Sequence, residues 1–185
     1  PEMFSTQYST DGTVAILGIN ATFTDVAKVN GIYYNDLATA IAAGIDAGAE
    51  VEISKDIYLE TGITIPAGAT VTIDLAGFSI YGYMDNEIIT IAGEDTENSL
   101  AAATLIIKDS EAADSTETVY SSIENYMGPA IVNNGTLTIG EIEDPTDTVY
   151  PYSPRVIGKT SAITNNGTLN FFDGQIGTRE AGTPV

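Results

Sequence analysis

Apolar positions along the chain fall into two periods. A helical period occurs once: Leu37, Ile41 and Ile45 recur at i, i+4 and i+8, with helix-favouring alanines between them. Asp36 in front can accept hydrogen bonds from the first free amides, and Gly48 behind can adopt the left-handed conformation that ends a helix. The spacing predicts a helix between the two. Just upstream, Val26–Val29 and Ile32–Tyr34 flank Asn30-Gly31. That pair tolerates the positive φ angles of a two-residue turn and predicts a hairpin. Further back, the run Val14–Ile19 after Asp11-Gly12 predicts a strand, either of this domain or of a preceding one.

From Glu50 onward the period is that of strands. Val51-Ile53, Ile57-Leu59, Ile63-Ile65, Val71-Ile73-Leu75 and Phe78-Ile80 are short runs. They are bounded by Ser54-Lys55-Asp56, Thr61-Gly62, Pro66-Ala67-Gly68 and Ala76-Gly77. Strands this short at this spacing predict an all-β repeat. The repeat is visible: Ala130-Ile131-Val132-Asn133-Asn134-Gly135-Thr136-Leu137 matches Ala162-Ile163-Thr164-Asn165-Asn166-Gly167-Thr168-Leu169. The Thr-apolar pair recurs at Thr70, Thr104, Thr136 and Thr168, separated by 34, 32 and 32 residues. A period of this size signals a solenoid.

With almost no helical pattern in the unit, each round must lay its strands parallel to those of the round before, about 4.8 Å away. Val71, Leu105, Leu137 and Leu169 are then expected in one inward column, and Ile73, Ile107, Ile139 and Phe171 in another. The Asn-Asn-Gly corners are expected to stack as well, asparagine being tolerant of left-handed backbone. The stretches 94–99, 110–125 and 141–159 have turn composition and predict protruding loops.

Charge narrows the function. Against 6 Lys+Arg stand 26 Asp+Glu, a net charge of −20. Such a surface repels phosphate backbones and anionic headgroups, which argues against nucleic acid and against peripheral membrane binding. With neither histidine nor cysteine, disulfides, thiol chemistry, the usual zinc sites and Ser–His catalysis are excluded. No apolar run approaches the roughly 18 residues of a membrane helix, and no signal peptide is visible. The first residue is proline, so a processed product or excised fragment is expected. A composition rich in Thr, Ala, Ile, Gly and Tyr suits an extracellular or cell-surface protein.

The string Val26 to Gly82 resembles the opening of right-handed parallel β-helix, pectin-lyase-like domains of large bacterial surface and adhesin-type proteins. The residues that carry the resemblance are Val26–Tyr34, the helix Asp36–Gly48, and Pro66-Ala67-Gly68-Ala69-Thr70-Val71-Thr72-Ile73-Asp74-Leu75-Ala76-Gly77. The Ala-Ile-x-Asn-Asn-Gly-Thr-Leu segments extend it to about residue 177. The resemblance implies an all-β, right-handed, single-stranded parallel β-helix with an N-terminal hairpin and capping helix. The expected divisions are 1–25 as an N-terminal strand segment, 26–48 as the cap and 49–185 as coils, with the last coil open to continuation or to another copy. Because the fold hosts lyases, hydrolases, phage spikes and adhesin segments, it leaves function open.

Three roles follow. The first is a non-catalytic structural or adhesive module facing a glycan or another surface protein. The second is a polysaccharide lyase or glycoside hydrolase, and the third a filament subunit stacking end to end. No catalytic residue and no cofactor are assigned. Asp74 and Asp109 follow strand cores and are the nearest thing to an acid–base pair; corner positions account for both. Polysaccharide lyases of this fold combine clustered acids with a basic residue, and Lys55, Lys108, Arg155, Lys159 and Arg179 share no motif. Candidate calcium ligands are Glu94, Asp95 and Glu97, and Glu141, Glu143 and Asp144, although neither run has an ordered loop signature. Tyr81, Tyr83, Tyr126, Tyr150 and Tyr152 are candidates for a sugar-stacking surface. The glycosylation-type triplets at Asn20, Asn134 and Asn166 include two already explained as corners.

Overall fold

The structure, a computed structural model, describes residues 4–8, 15–19, 25–111, 120–140 and 153–179. Strands β1 (Phe4–Tyr8) and β2 (Ala15–Ile19) pair antiparallel in a two-stranded sheet of their own. β2 is the expected strand; β1, with few apolar residues, was not foreseen.

Next come β3 (Ala27–Val29) and β4 (Ile32–Tyr34), antiparallel with Val29 opposite Ile32. Asn30 (φ 50°) and Gly31 (φ 79°) make the turn, both in the left-handed region that a primed turn requires. Helix α1 (Leu37–Ala47) starts at Asp36, whose carboxylate accepts from the Thr39 N–H at 2.8 Å and the Thr39 hydroxyl at 2.7 Å. The helix ends at Gly48 with φ 58°. Leu37 and Ile41 are buried as the stripe predicted, Ala40 and Gly44 complete the face, and Ile45 is partly buried against the core. The helix lies against β3, β4, β5 and β8.

Fourteen short strands follow: β5 (Val51–Ile53), β6 (Ile57–Leu59), β7 (Ile63–Ile65), β8 (Thr70–Asp74), β9 (Ile80–Gly82), β10 (Ile89–Ile91), β11 (Thr104–Lys108), β12 (Ser122–Asn125), β13 (Ile131–Asn133), β14 (Thr136–Ile139), β15 (Arg155–Gly158), β16 (Ile163–Asn165), β17 (Thr168–Phe171) and β18 (Gln175–Thr178). They sort into three open sheets. The first runs β17-β14-β11-β8-β5-β3-β4, the second β18-β15-β12-β9-β6 and the third β16-β13-β10-β7. From β5 onward the chain visits first, second and third sheet in that order, round after round. Each strand is parallel to its neighbours from adjacent rounds; only β3 and β4 make the first sheet mixed.

The four threonines hold one station: Thr70 opposes Thr104, Thr104 opposes Thr136, and Thr136 opposes Thr168. Inward residues form continuous apolar columns. Val71, Leu105 and Leu137 are buried, as are Ile73, Ile107 and Ile139. In the second sheet the column is Ile57, Ile80, Ile123 and Val156, and in the third Ile63, Ile89 and Ile131. Burial of these branched side chains on several sides of one interior is the main stabilising term. Phe171, on edge strand β17, is 48% exposed rather than buried, and Leu169 is partly buried.

Several expectations need correction. The run Phe78-Ile80 is not a strand: Ala76 and Gly77 have positive φ, the Phe78 N–H bonds to the Leu75 carbonyl, and pairing begins at Ile80. Within the predicted loop 110–125, Ser122–Asn125 is a buried strand, and within 141–159, Arg155–Gly158 is another. Neighbouring strands on both sides impose extended pairing that local composition does not suggest. The stretch 94–99 is a turn segment, bridged between Asp95 and Leu100.

The Asn corners stack, but not through left-handed backbone. Among the described residues Asn133, Asn134, Asn165 and Asn166 have no positive φ. Asn133 takes an inward station that Ile65 and Ile91 fill in earlier rounds. Its side-chain amide donates to Asn165 Oδ1 (2.6 Å) and to the Thr168 carbonyl (2.8 Å), and its Oδ1 accepts from the Gly135 N–H (3.1 Å). Asn166 donates to Asn134 Oδ1 at 2.9 Å. The corner is an amide ladder. Glycine follows because rounds approach closely there: a Cβ on Gly135 would collide with the Ala103 carbonyl, and one on Gly167 with that of Gly135.

Candidate tyrosine surface

Among the described residues, strand pairing in the second sheet gathers tyrosine side chains at its outer face. Strands β6 and β9 both read Ile-Tyr, and alternation turns the isoleucine inward and the tyrosine outward. Tyr58 therefore opposes Tyr81, and on the next strand Glu124 opposes Tyr81. The rings of Tyr58 and Tyr81 stack with centroids 5.1 Å apart and planes at 30°. Tyr83 and Tyr126 lie just past the ends of β9 and β12. They stack at 4.3 Å with planes 5° apart, and Tyr126 approaches Tyr81 at 6.2 Å.

Asn125 fixes this second pair from below. It is fully buried; its Oδ1 accepts from the Met84 and Met127 N–H groups, both at 3.3 Å. Its Nδ2 donates to the carbonyls of Asn86 (2.6 Å) and Pro129 (2.9 Å). One side chain thus ties together the two turns that present Tyr83 and Tyr126. Buried polar groups satisfied at every atom rigidify the segments they join.

Arg179 closes the cluster from the far end of the sheet. Its backbone N–H reaches the Gly158 carbonyl at 2.8 Å, its Nη1 lies 2.7 Å from Glu124 Oε1, and its guanidinium carbon stands 3.9 Å from the Tyr126 ring centroid. The Glu124 side chain is nearly buried, and a buried carboxylate requires such a partner. Burial pulls against the guanidinium charge, but the hydrogen bond and the charge of Glu124 hold the pKa of Arg179 above its ordinary value. Burial, then the Glu124 charge, push the Tyr126 phenol up, so it stays neutral near pH 7.

Of the tyrosines singled out by sequence, Tyr81, Tyr83 and Tyr126 come together, while Tyr150 and Tyr152 lie outside the described residues. Tyr58, Glu124, Asn125 and Arg179 were not foreseen. The repeated Ile-Tyr of β6 and β9 was the available signal for Tyr58.

Asp74 and Asp109 occupy corners. Asp74 Oδ1 accepts from the Ala76 N–H (3.0 Å) and, in the next round, from the Ser110 N–H (2.8 Å). Asp109 reaches back to the Gly77 N–H (2.9 Å) and accepts from the Ser153 hydroxyl. Each carboxylate thus secures a turn of the adjacent round. Lys108 bonds to Glu50 at 2.7 Å, with Asp74 at 3.9 Å.

Of the calcium candidates, Asp95 turns onto its own loop, accepting from the N–H groups of Glu97 and Asn98 (both 3.1 Å) and from Asn98 Nδ2 (2.8 Å). The Asn98 side chain and then its backbone hold the Asp95 carboxyl below its ordinary pKa. Among the described residues no three acidic side chains, Glu94 and Glu97 included, converge on a point where an ion could sit. Glu141, Glu143 and Asp144 lie outside the described residues.

A cleft of about 830 Å³ opens beside the β3–β4 hairpin. Its charges alternate in sign through Asp25, Lys28, Glu52, Lys55 and Glu111, so it presents no single charge to a ligand. Within it Lys28 is bonded to Glu52 at 2.6 Å, which raises the lysine pKa. Among the described residues no helix is long and apolar enough to cross a membrane. Comparison of the chain with protein-family models, with curated proteins and with solved structures returns no match.

Proposed function

We propose that the chain is a non-catalytic structural and adhesive module of a secreted or surface-attached protein, wound as a right-handed parallel β-helix of the pectin-lyase-like kind. The support for the winding is the cyclic order of the three sheets, together with the strong preference of parallel crossovers for the right hand. A stack in which each round packs only on its neighbours is quasi-one-dimensional, which suits a stiff spacer. The observation that carries the adhesive part is the tyrosine surface. Tyr58 and Tyr83 are 70% and 67% exposed, far more than core packing requires of a tyrosine.

The partner is a glycan or another surface protein. Net charge −20 disfavours nucleic acid and anionic lipid. The test is a glycan array run beside a reducing-sugar release assay. Binding without release is the expected result. Release of product would overturn the non-catalytic reading in favour of a lyase or hydrolase, and failure to bind any glycan or host surface would leave only the spacer role.

A second reading, end-to-end association of copies, is favoured by the composition of β16, β17 and β18, which carry no charge and no proline, the residues that usually guard a strand against pairing with another chain. Size-exclusion chromatography across a dilution series tests it, and a constant monomer discards it.

A further inference from the structure

Resting on the adhesive reading above, we infer that the ligand of the tyrosine surface is an uncharged glycan chain, held on the open ring faces of Tyr58 and Tyr83. Four of the ten tyrosines in the chain gather on this one sheet. Their rings are not all available. Tyr58 gives one face to Tyr81, Tyr83 gives one face to Tyr126, and Tyr126 also carries the Arg179 guanidinium. The faces left to solvent belong to the two most exposed rings, Tyr58 and Tyr83. Each is braced from behind by a stacked partner, so neither must lose much freedom when a ligand lands, which favours binding.

The chemistry selects the occupant. An aromatic face is electron-rich and attracts the weakly positive C–H groups on one side of a pyranose ring. Phenol hydroxyls at the ring edges are donors and acceptors for sugar hydroxyls. A polyanion is excluded by charge: the cation in the cluster, Arg179, is already bonded to Glu124, and the whole molecule carries −20. A protein partner fits less well. A stable protein interface needs a contiguous desolvated apolar centre, within about 800 Å² on each side. Here the outward stations of β6, β9 and β12 are Tyr58, Tyr81 and Glu124, two rings followed by a carboxylate. Separate ring faces beside an ion pair suit a narrow, polar, flexible chain.

Affinity electrophoresis tests the assignment. The full chain is run in gels containing galactomannan, hydroxyethylcellulose or polygalacturonate, with Tyr58→Ala, Tyr83→Ala, the double variant and Tyr33→Ala alongside. Tyr33 is an exposed tyrosine on β4, outside the cluster, and controls for loss of any surface aromatic. Retardation by at least one neutral polymer is expected, weakened about tenfold or more in the double variant and unchanged in Tyr33→Ala. Circular dichroism confirms that the variants fold, as these exposed positions allow. Retardation by polygalacturonate alone, or by no polymer, overturns the inference. Undiminished binding in the double variant also overturns it, while leaving the adhesive reading in place. Release of reducing ends with binding still lost in the double variant supports this site and overturns the non-catalytic reading instead.

Discussion

Asn133 offers the sharpest test of how the rounds are held together. Its station belongs to an apolar column, yet it is an amide with no solvent exposure. Asn133→Ala removes three hydrogen bonds, two donated by Nδ2 and one accepted by Oδ1. Net contributions of such bonds are about 1 kcal/mol each, and a buried donor left without an acceptor adds a further penalty. The Gly135 N–H is that donor. The expected loss is therefore about 2–4 kcal/mol, a large part of a small domain's total stability. Asn165, its exposed counterpart one round on, accepts from Asn133 and donates to the Gly167 carbonyl at 3.2 Å. Water can replace both contacts, so Asn165→Ala should lose below about 1 kcal/mol.

Urea unfolding followed by circular dichroism measures both, provided the slope against urea is unchanged. Asn133→Asp sharpens the comparison. The introduced carboxylate faces the acceptors Asn165 Oδ1 and Thr168 O, which disfavour its charged form and raise its pKa in the folded state. That variant should be less stable than Asn133→Ala at pH 7. Because the folded-state pKa lies above the unfolded one, protonation favours the folded form, and the deficit should shrink as the pH is lowered through the raised value. Equal effects of Asn133→Ala and Asn165→Ala, or a loss below about 0.5 kcal/mol for Asn133→Ala, would refute the ladder as a stabilising device.

Other outcomes follow from the same geometry. Leu105→Ala, in the middle of a buried column, should lose about 3 kcal/mol by urea titration, and Leu169→Ala, partly buried on β17, less than half of that. Gly135→Ala drives a methyl group into the Ala103 carbonyl and should lose at least about 2 kcal/mol or prevent folding, read by the same titration and by soluble yield. Asp36→Ala should lower stability by about 1 kcal/mol at pH 7 through loss of the helix cap. The Thr39 hydroxyl, then the Thr39 N–H, hold the Asp36 pKa below its ordinary 3.8. Its stabilisation is thus complete above that value and disappears as the pH falls through the lower folded-state value, so thermal melts of Asp36→Ala and the parent should converge in strong acid.

The elements that the sequence made legible are those whose local signals agree with one another. The hairpin at Asn30-Gly31, the helix from Asp36 to Gly48, and β6 and β7 carry both an apolar period and the right punctuation. The 34-, 32- and 32-residue spacing agrees with the register of the first sheet, where the four threonines oppose one another on successive strands. β12 was illegible for a physical reason. Ser122-Ile123-Glu124-Asn125 has one apolar side chain, and its strand conformation comes from β9 and β15 on either side. The Asn-Asn-Gly segments are corners, as their composition predicts, but the mechanism differs from the predicted one. Tolerance of left-handed backbone is a local property, whereas an amide ladder needs the next round to exist.

The same distinction explains why the tyrosine surface was half visible. Tyr81, Tyr83 and Tyr126 stood out as aromatic residues near turns, a signal carried by each residue alone. Membership of one surface is a property of register. Tyr58 joins because Ile57 and Ile80 must both point into the core, and alternation then forces Tyr58 and Tyr81 to the same outer station. Glu124 joins because Ile123 continues that inward column, and Arg179 because β18 ends beside β15. The spacing along the second sheet is irregular, since loops of unequal length separate its strands, so no fixed period in the sequence could align these residues. What aligns them is the apolar column on the opposite face. In a stack of this kind the core decides which exposed side chains become neighbours, and a slip of one residue in β6 would remove Tyr58 from the surface as surely as its substitution.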